Sequence, residues 1–295
     1  MTIRVLRSRE TQGNPDVALF PRKPDEGNLD WIARAIKKLK LPVGDGWSHL
    51  LLVGSNDLLS FRLRVAQSHV RTSLSPSAWS HIAFVHLVPP AQEVSVIEVS
   101  LAPIEGFGKS GFAPADNGIQ SSHLGAYDDV SQFPNIAFVA MPVPAAKIEE
   151  RLEEIKHMRS TFNVPELILR WLTYGWGVGV PSSPLADGYG IPGAAILEAA
   201  YAAEQFDLTP GLESRSSCPE AIWQAVRFWY RYQQDQATAL SPSRRRTDVR
   251  ICGAFCADNK LVPDDDAYIN PPPAPKTPAP AKTRTPAKKT KPPKV

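Results

Sequence analysis

In SHIAFVHLVPPAQEVSVIEVSL, residues 80–101, two runs rich in Val, Ile and Phe flank the pair Pro89–Pro90. Such runs read as β-strands, and adjacent prolines end ladder pairing and favour a turn. A hairpin closing symmetrically about the prolines sets His81 directly opposite Glu98. Directly opposed side chains share a face with Cβ atoms about 5 Å apart, within reach of an imidazole–carboxylate hydrogen bond. A slip of one residue would send the two side chains to opposite faces. Neither residue suits a strand interior without a partner, and this pairing supplies one to each. Two readings fit: a structural ion pair at a sheet edge, or a base held by its orienting carboxylate.

Further strand-like runs surround the hairpin: SHLLLVGS (48–55), DLLSFRLRV (57–65) and NIAFVAMPV (135–143). The pattern then turns helical. PAAKIEERLEEIKHM (144–158) carries Ile148, Leu152 and Ile155 at helical spacing, while VPELILRWLTY (164–174) and IPGAAILEAAYAAEQF (191–206) each place a proline at a plausible first turn. Residues 219–234 continue the helical pattern. The expected class is α+β, an antiparallel sheet packed with helices.

Length and composition frame that core. A chain of 295 residues, 43% hydrophobic and 21% charged, can bury one substantial core with appendages. We expect a leader over 1–45, a core over 46–262 and a tail over 263–295. The leader holds a short basic helix in LDWIARAIKKLKL, whose apolar stripe (Trp31, Ile32, Ala35, Ile36, Leu39) suits packing on the domain better than a membrane anchor. The tail from 271, PPPAPKTPAPAKTRTPAKKTKPPKV, cannot offset its ordering entropy by burial and reads as disordered. It carries seven of the positive charges, so the formal net charge of +3 hides an acidic body. The basic tail suits contact with an anionic polymer or surface, or serves as a plain solubilising arm. No run is apolar for the roughly 20 residues a bilayer requires, and three cysteines suggest free thiols in a reducing compartment, so a cytoplasmic protein is expected.

Two patterns resemble ligand sites without their context. GFGKSG (106–111) satisfies a glycine-rich phosphate motif, but FAPADNG follows it instead of a helix. Cys252 and Cys256 have no second pair and no nearby histidine, so burial in a late strand is expected and no metal is called for. No organic cofactor is implied either.

Cys218, in ESRSSCPEAIWQAVRFW (213–229), stands before Pro219 and the stripe Ile222, Ala225, Val226 and Trp229. It falls at a helix start, where unpaired amides stabilise a thiolate. With His81 and Glu98 it supplies the types of a nucleophile, a base and an orienter.

In this order the residues resemble the circularly permuted papain-fold amidases and peptidases related to the NlpC-type cell-wall hydrolases, including the YiiX-type proteins. The likeness rests on an Asp-led strand at Asp57 in SNDLLSFRLR, the Ser-His of WSHIAFV, the acid of SVIEVSL and the late CPEAIWQA, with Glu220 two positions after the cysteine. It spans about residues 50–230. It implies a permuted papain-like fold with Cys218 as nucleophile, His81 as base and Glu98 as orienter. A peptide, isopeptide or acyl-ester substrate would follow. The sequence departs from the family at Pro219, where a small hydroxyl residue is usual; proline removes one amide from the site. A catalytically silent papain-like module with a basic tether is the rival expectation.

Overall fold

The computed structural model describes residues 18–87, 94–101, 117–158, 164–177, 182–239 and 251–257, all within one compact unit. The glycine-rich 106–111, Pro89–Pro90 and the tail over 263–295 lie outside the described residues. Strands β2 (Ser48–Gly54) and β6 (Asn135–Met141) are buried at every residue, a pattern that requires cover on both faces of the sheet. They are central in a seven-stranded sheet with β1 (Ala18–Leu19), β3 (His81–His86), β4 (Ser95–Glu98), β5 (Gln120–His123) and β7 (Cys252–Ala257). The order is β1-β7-β6-β2-β3-β4-β5. β2 to β7 pair antiparallel, and the two-residue β1 joins β7 in parallel.

Among the described residues, six α-helices cover the sheet: α1 (Asn28–Leu39), α2 (Leu58–Ala66), α3 (Ala145–His157), α4 (Val164–Trp176), α5 (Pro192–Ala203) and α6 (Pro219–Ala239). Leu50, Leu52, Ile82, Phe84 and Val139 point to one face, where they meet Leu63, Ile148, Ile168, Ile196 and Ile222 from α2 to α6. The opposite pleat turns Leu51, Val53, Ala83, Val85 and Phe138 toward Trp31, Ile32 and Ala35 of α1. The α+β class expected from the sequence is therefore the one found. None of the helices is long and apolar enough to cross a membrane. The cysteines at 252 and 256 lie on β7, and neither is in a disulfide.

Two expectations are corrected. DLLSFRLRV is not a strand: Asp57 caps α2 by accepting from the amide of Ser60 at 2.8 Å, while Leu63 and Ala66 are buried at helical spacing. The alternation of Leu59, Phe61, Leu63 and Val65 imitates a strand, but a capped first turn prevails over it. The hairpin register also differs. Phe84 pairs with Ile97, Val85 with Val96 and His86 with Ser95, so Glu98 is displaced two residues from the position opposite His81. A two-residue shift preserves the pleat, so both side chains still leave on the same face.

Gly54 ends β2 where the chain before β3 crosses it. A Cβ there would lie 1.9 Å from the carbonyl oxygen of Ala78 and 3.0 Å from Asn135 Nδ2. Gly54→Ala is expected to destabilise the fold by about 1–3 kcal/mol through backbone overpacking, read as a lower urea midpoint with unchanged slope.

Candidate active site

Glu98 ends β4 with its side chain on the α1 face of the sheet, and it is 3% exposed. A carboxylate there needs donors, and three converge on it. His81 Nε2 lies 2.5 Å from Oε2, the Tyr127 hydroxyl donates to the same oxygen, and Ser122 Oγ donates to Oε1 at 2.7 Å. Burial pushes the Glu98 carboxyl up, but the hydrogen bond and charge of His81, with the Tyr127 and Ser122 bonds, bring it below its ordinary value. An ionised carboxylate is acceptor-only, so Nε2 of His81 carries the shared proton.

Tyr127 lies just beyond β5 in a short 3-10 turn, and its ring stacks on His81 at 6.1 Å and 17°. Ser122 comes from β5 itself, paired with Val96 on β4. Neither was singled out from the sequence, since each lies more than twenty residues from Glu98 and joins it only through the sheet. The Ser122–Val96 pairing is the structural signal; the irregular QSSHLGAY carries no strand pattern of its own.

Beyond this pair lies a narrow cleft of about 70 Å³, bounded by Ser80, His81, Asp57, Tyr127, Phe133 and Ile191. That is room for a few water molecules or one small planar group. Nδ1 of His81 has no hydrogen-bond partner among the described residues. Its ring edge also approaches α5, because a Cβ on Gly193 would lie 3.9 Å from Cε1.

Cys218 immediately precedes α6, as its place before Pro219 suggested. The structure brings His81 and Glu98 together, and Cys218 does not line the cleft beside them. The thiol is fully buried in the core cluster of the other sheet face, and it makes no hydrogen bond to His81. Burial pushes it up to about 12; the amides of Ala221 and Glu220 pull it down, and the Glu220 carboxylate adds to the rise. Three contacts nevertheless tie the segment around the cysteine to the chain around the cleft. The amide of Ile191, a cleft residue, donates to the carbonyl of Ser217 at 2.9 Å. From the other side, Ser77 Oγ donates to Glu220 at 2.6 Å, and Trp79 packs edge-on against Trp223 at 5.0 Å.

A larger cavity of about 540 Å³ lies at the other end of β2 and β3, beside Trp47, His49 and His86. Both histidines have structural partners there, His86 in the Glu149 carboxylate and His49 in the carbonyl of Pro42 at 2.9 Å. Among the described residues, no group of three His, Cys, Asp or Glu side chains could hold a metal ion. No family model, curated protein or solved structure matches the chain.

Proposed function

We propose that the chain is a cysteine-dependent hydrolase or acyltransferase acting on an amide or ester carbonyl. The observation that carries this reading is the His81–Glu98 pair at the wall of a cleft, with Nε2 committed to the carboxylate and Nδ1 without a hydrogen-bond partner among the described residues. An imidazole so held is a base of fixed tautomer. In the proposed reaction Nδ1 takes the Cys218 proton and the sulfur forms a bond to the carbonyl carbon, whose π electrons move to oxygen. When these electrons return, the bond to the leaving nitrogen or oxygen breaks and that atom takes the proton from Nδ1. Water or another acceptor, deprotonated by the same nitrogen, then displaces the sulfur from the thioester. The backbone amide of Cys218 is the oxyanion donor of this scheme. Pro219 offers none, and the amide of Glu220 is bonded to Gln67 Oε1 at 2.9 Å.

The scheme requires the buried thiol to reach the cleft. The burial of Cys218 favours a second reading, a catalytically silent module whose basic tail tethers it to an anionic surface. Alkylation of Cys218 as a function of pH separates the two. An enzyme is expected to show a reactive limb below the thiol's own titration, absent in His81→Ala. A slow thiol indifferent to that substitution would establish the silent module instead.

A further inference from the structure

Gln67 follows α2, is fully buried, and has every polar atom engaged. Its Nε2 donates to the carbonyl of Leu63 at 3.0 Å and to that of Trp79 at 2.8 Å, and its Oε1 accepts from the amide of Glu220 at 2.9 Å. Trp79 lies two residues before His81, and Glu220 two residues after Cys218. One planar amide therefore joins the segment entering the base strand to the first turn of the helix that follows the cysteine.

We propose that Gln67 is a positioning residue of the catalytic site, fixing the start of α6, and with it Cys218, relative to the segment that delivers His81. The inference rests on the hydrolase reading, since it assigns Gln67 a role toward those two residues. Glutamine is specific to the task. A side chain here must give two protons to carbonyls and accept one from an amide, all without water, and the carboxamide does so in one orientation. Glutamate at this position would face two carbonyl oxygens with a carboxylate; methionine keeps the length but leaves three backbone groups unpaired. The Ser77–Glu220 bond is a second tie between the same segments. Ser77 reaches α6 through the Glu220 side chain, whereas Gln67 binds backbone on both sides and so fixes the main chain.

The test is the pH profile of Cys218 alkylation by iodoacetamide in the full-length protein, in Gln67→Met and in Gln67→Asn. The asparagine variant keeps the carboxamide one methylene short and serves if the methionine variant does not fold. A misplacement of about 1 Å between reacting groups costs about a hundredfold in rate, so the His81-dependent limb is expected to fall by about that factor. The alkaline limb, which reports an ordinary thiolate, should keep its rate, a separation that general loosening of the fold would not give. A folded variant that retains the His81-dependent limb within about twofold of the parent overturns the role of Gln67 alone. A parent protein lacking that limb overturns both the hydrolase reading and this one.

Discussion

Glu198→Gln is expected to remove the Glu198 share of a loss of stability that the parent protein suffers as the pH rises from about 4.5 to about 7. Glu198 lies in α5 and is 2% exposed. Thr209 and the amide of Leu208 oppose the rise of its carboxyl, while Oε2 has no hydrogen-bond partner among the described residues. Burial pushes the carboxyl up to about 7, and Asp207 adds to the rise against the opposing hydrogen bonds. The folded protein thus holds a proton that the unfolded chain releases near 4.5. The contribution is fully present below that value and is lost as the pH rises through the folded value, which amounts to about 3 kcal/mol across the window. Glutamine has no such titration. The stability difference between variant and parent should therefore move by about 3 kcal/mol in the variant's favour from pH 4 to pH 8, a relative shift of roughly 10 °C in melting temperature. Parallel melting curves for the two proteins over this range would refute the assignment.

The sequence held some of this and concealed the rest for identifiable reasons. The shared face of His81 and Glu98 was legible because the pleat has a period of two, which survives an error of two residues in register. The register itself was not, since paired prolines mark a turn without fixing its length. α2 was misread because its leucines and Phe61 alternate, although Asp57 followed three residues later by Ser60 is a cap pattern that could have shown the helix. Glu198 also left a trace: a lone carboxylate inside IPGAAILEAAYAA, an otherwise apolar helix, is a sign of a buried acid. Tyr127, Ser122 and Gln67 left none, because each acts through contacts made only once the sheet has formed. The position of Cys218 at a helix start was legible. Its depth was not, because burial depends on how α5 and α6 pack over the sheet rather than on the local pattern.

Glu98→Gln tests the opposite kind of carboxylate, and a loss of about a thousandfold or more in the His81-dependent reactivity of Cys218 is expected from it. The substitution is nearly isosteric. With its oxygen in the place of Oε1 it accepts from Ser122, and its amide group in the place of Oε2 can donate to the Tyr127 oxygen, so the fold should survive. The change falls on His81. In the parent the ionised carboxylate accepts the Nε2 proton, which leaves Nδ1 as the base. The amide of glutamine instead donates to Nε2, so the neutral imidazole must carry its proton on Nδ1, and the basic nitrogen is turned away from the task. Nitrogen-15 NMR of the labelled imidazole reads this tautomer switch directly, whatever the thiol does; an unchanged tautomer would refute the account of the pair. The stability profile gives an independent sign. Since the folded state holds the Glu98 carboxyl below its ordinary value, its contribution is present at neutral pH and is lost as the pH falls through the acid range, the reverse of Glu198. Glu98→Gln should therefore flatten the acid side of the stability curve and Glu198→Gln the side toward neutrality. These two buried carboxylates are thus separable in one protein: three donors hold Glu98 below its ordinary value, while Glu198, with one oxygen lacking any donor among the described residues, keeps its proton up to about 7.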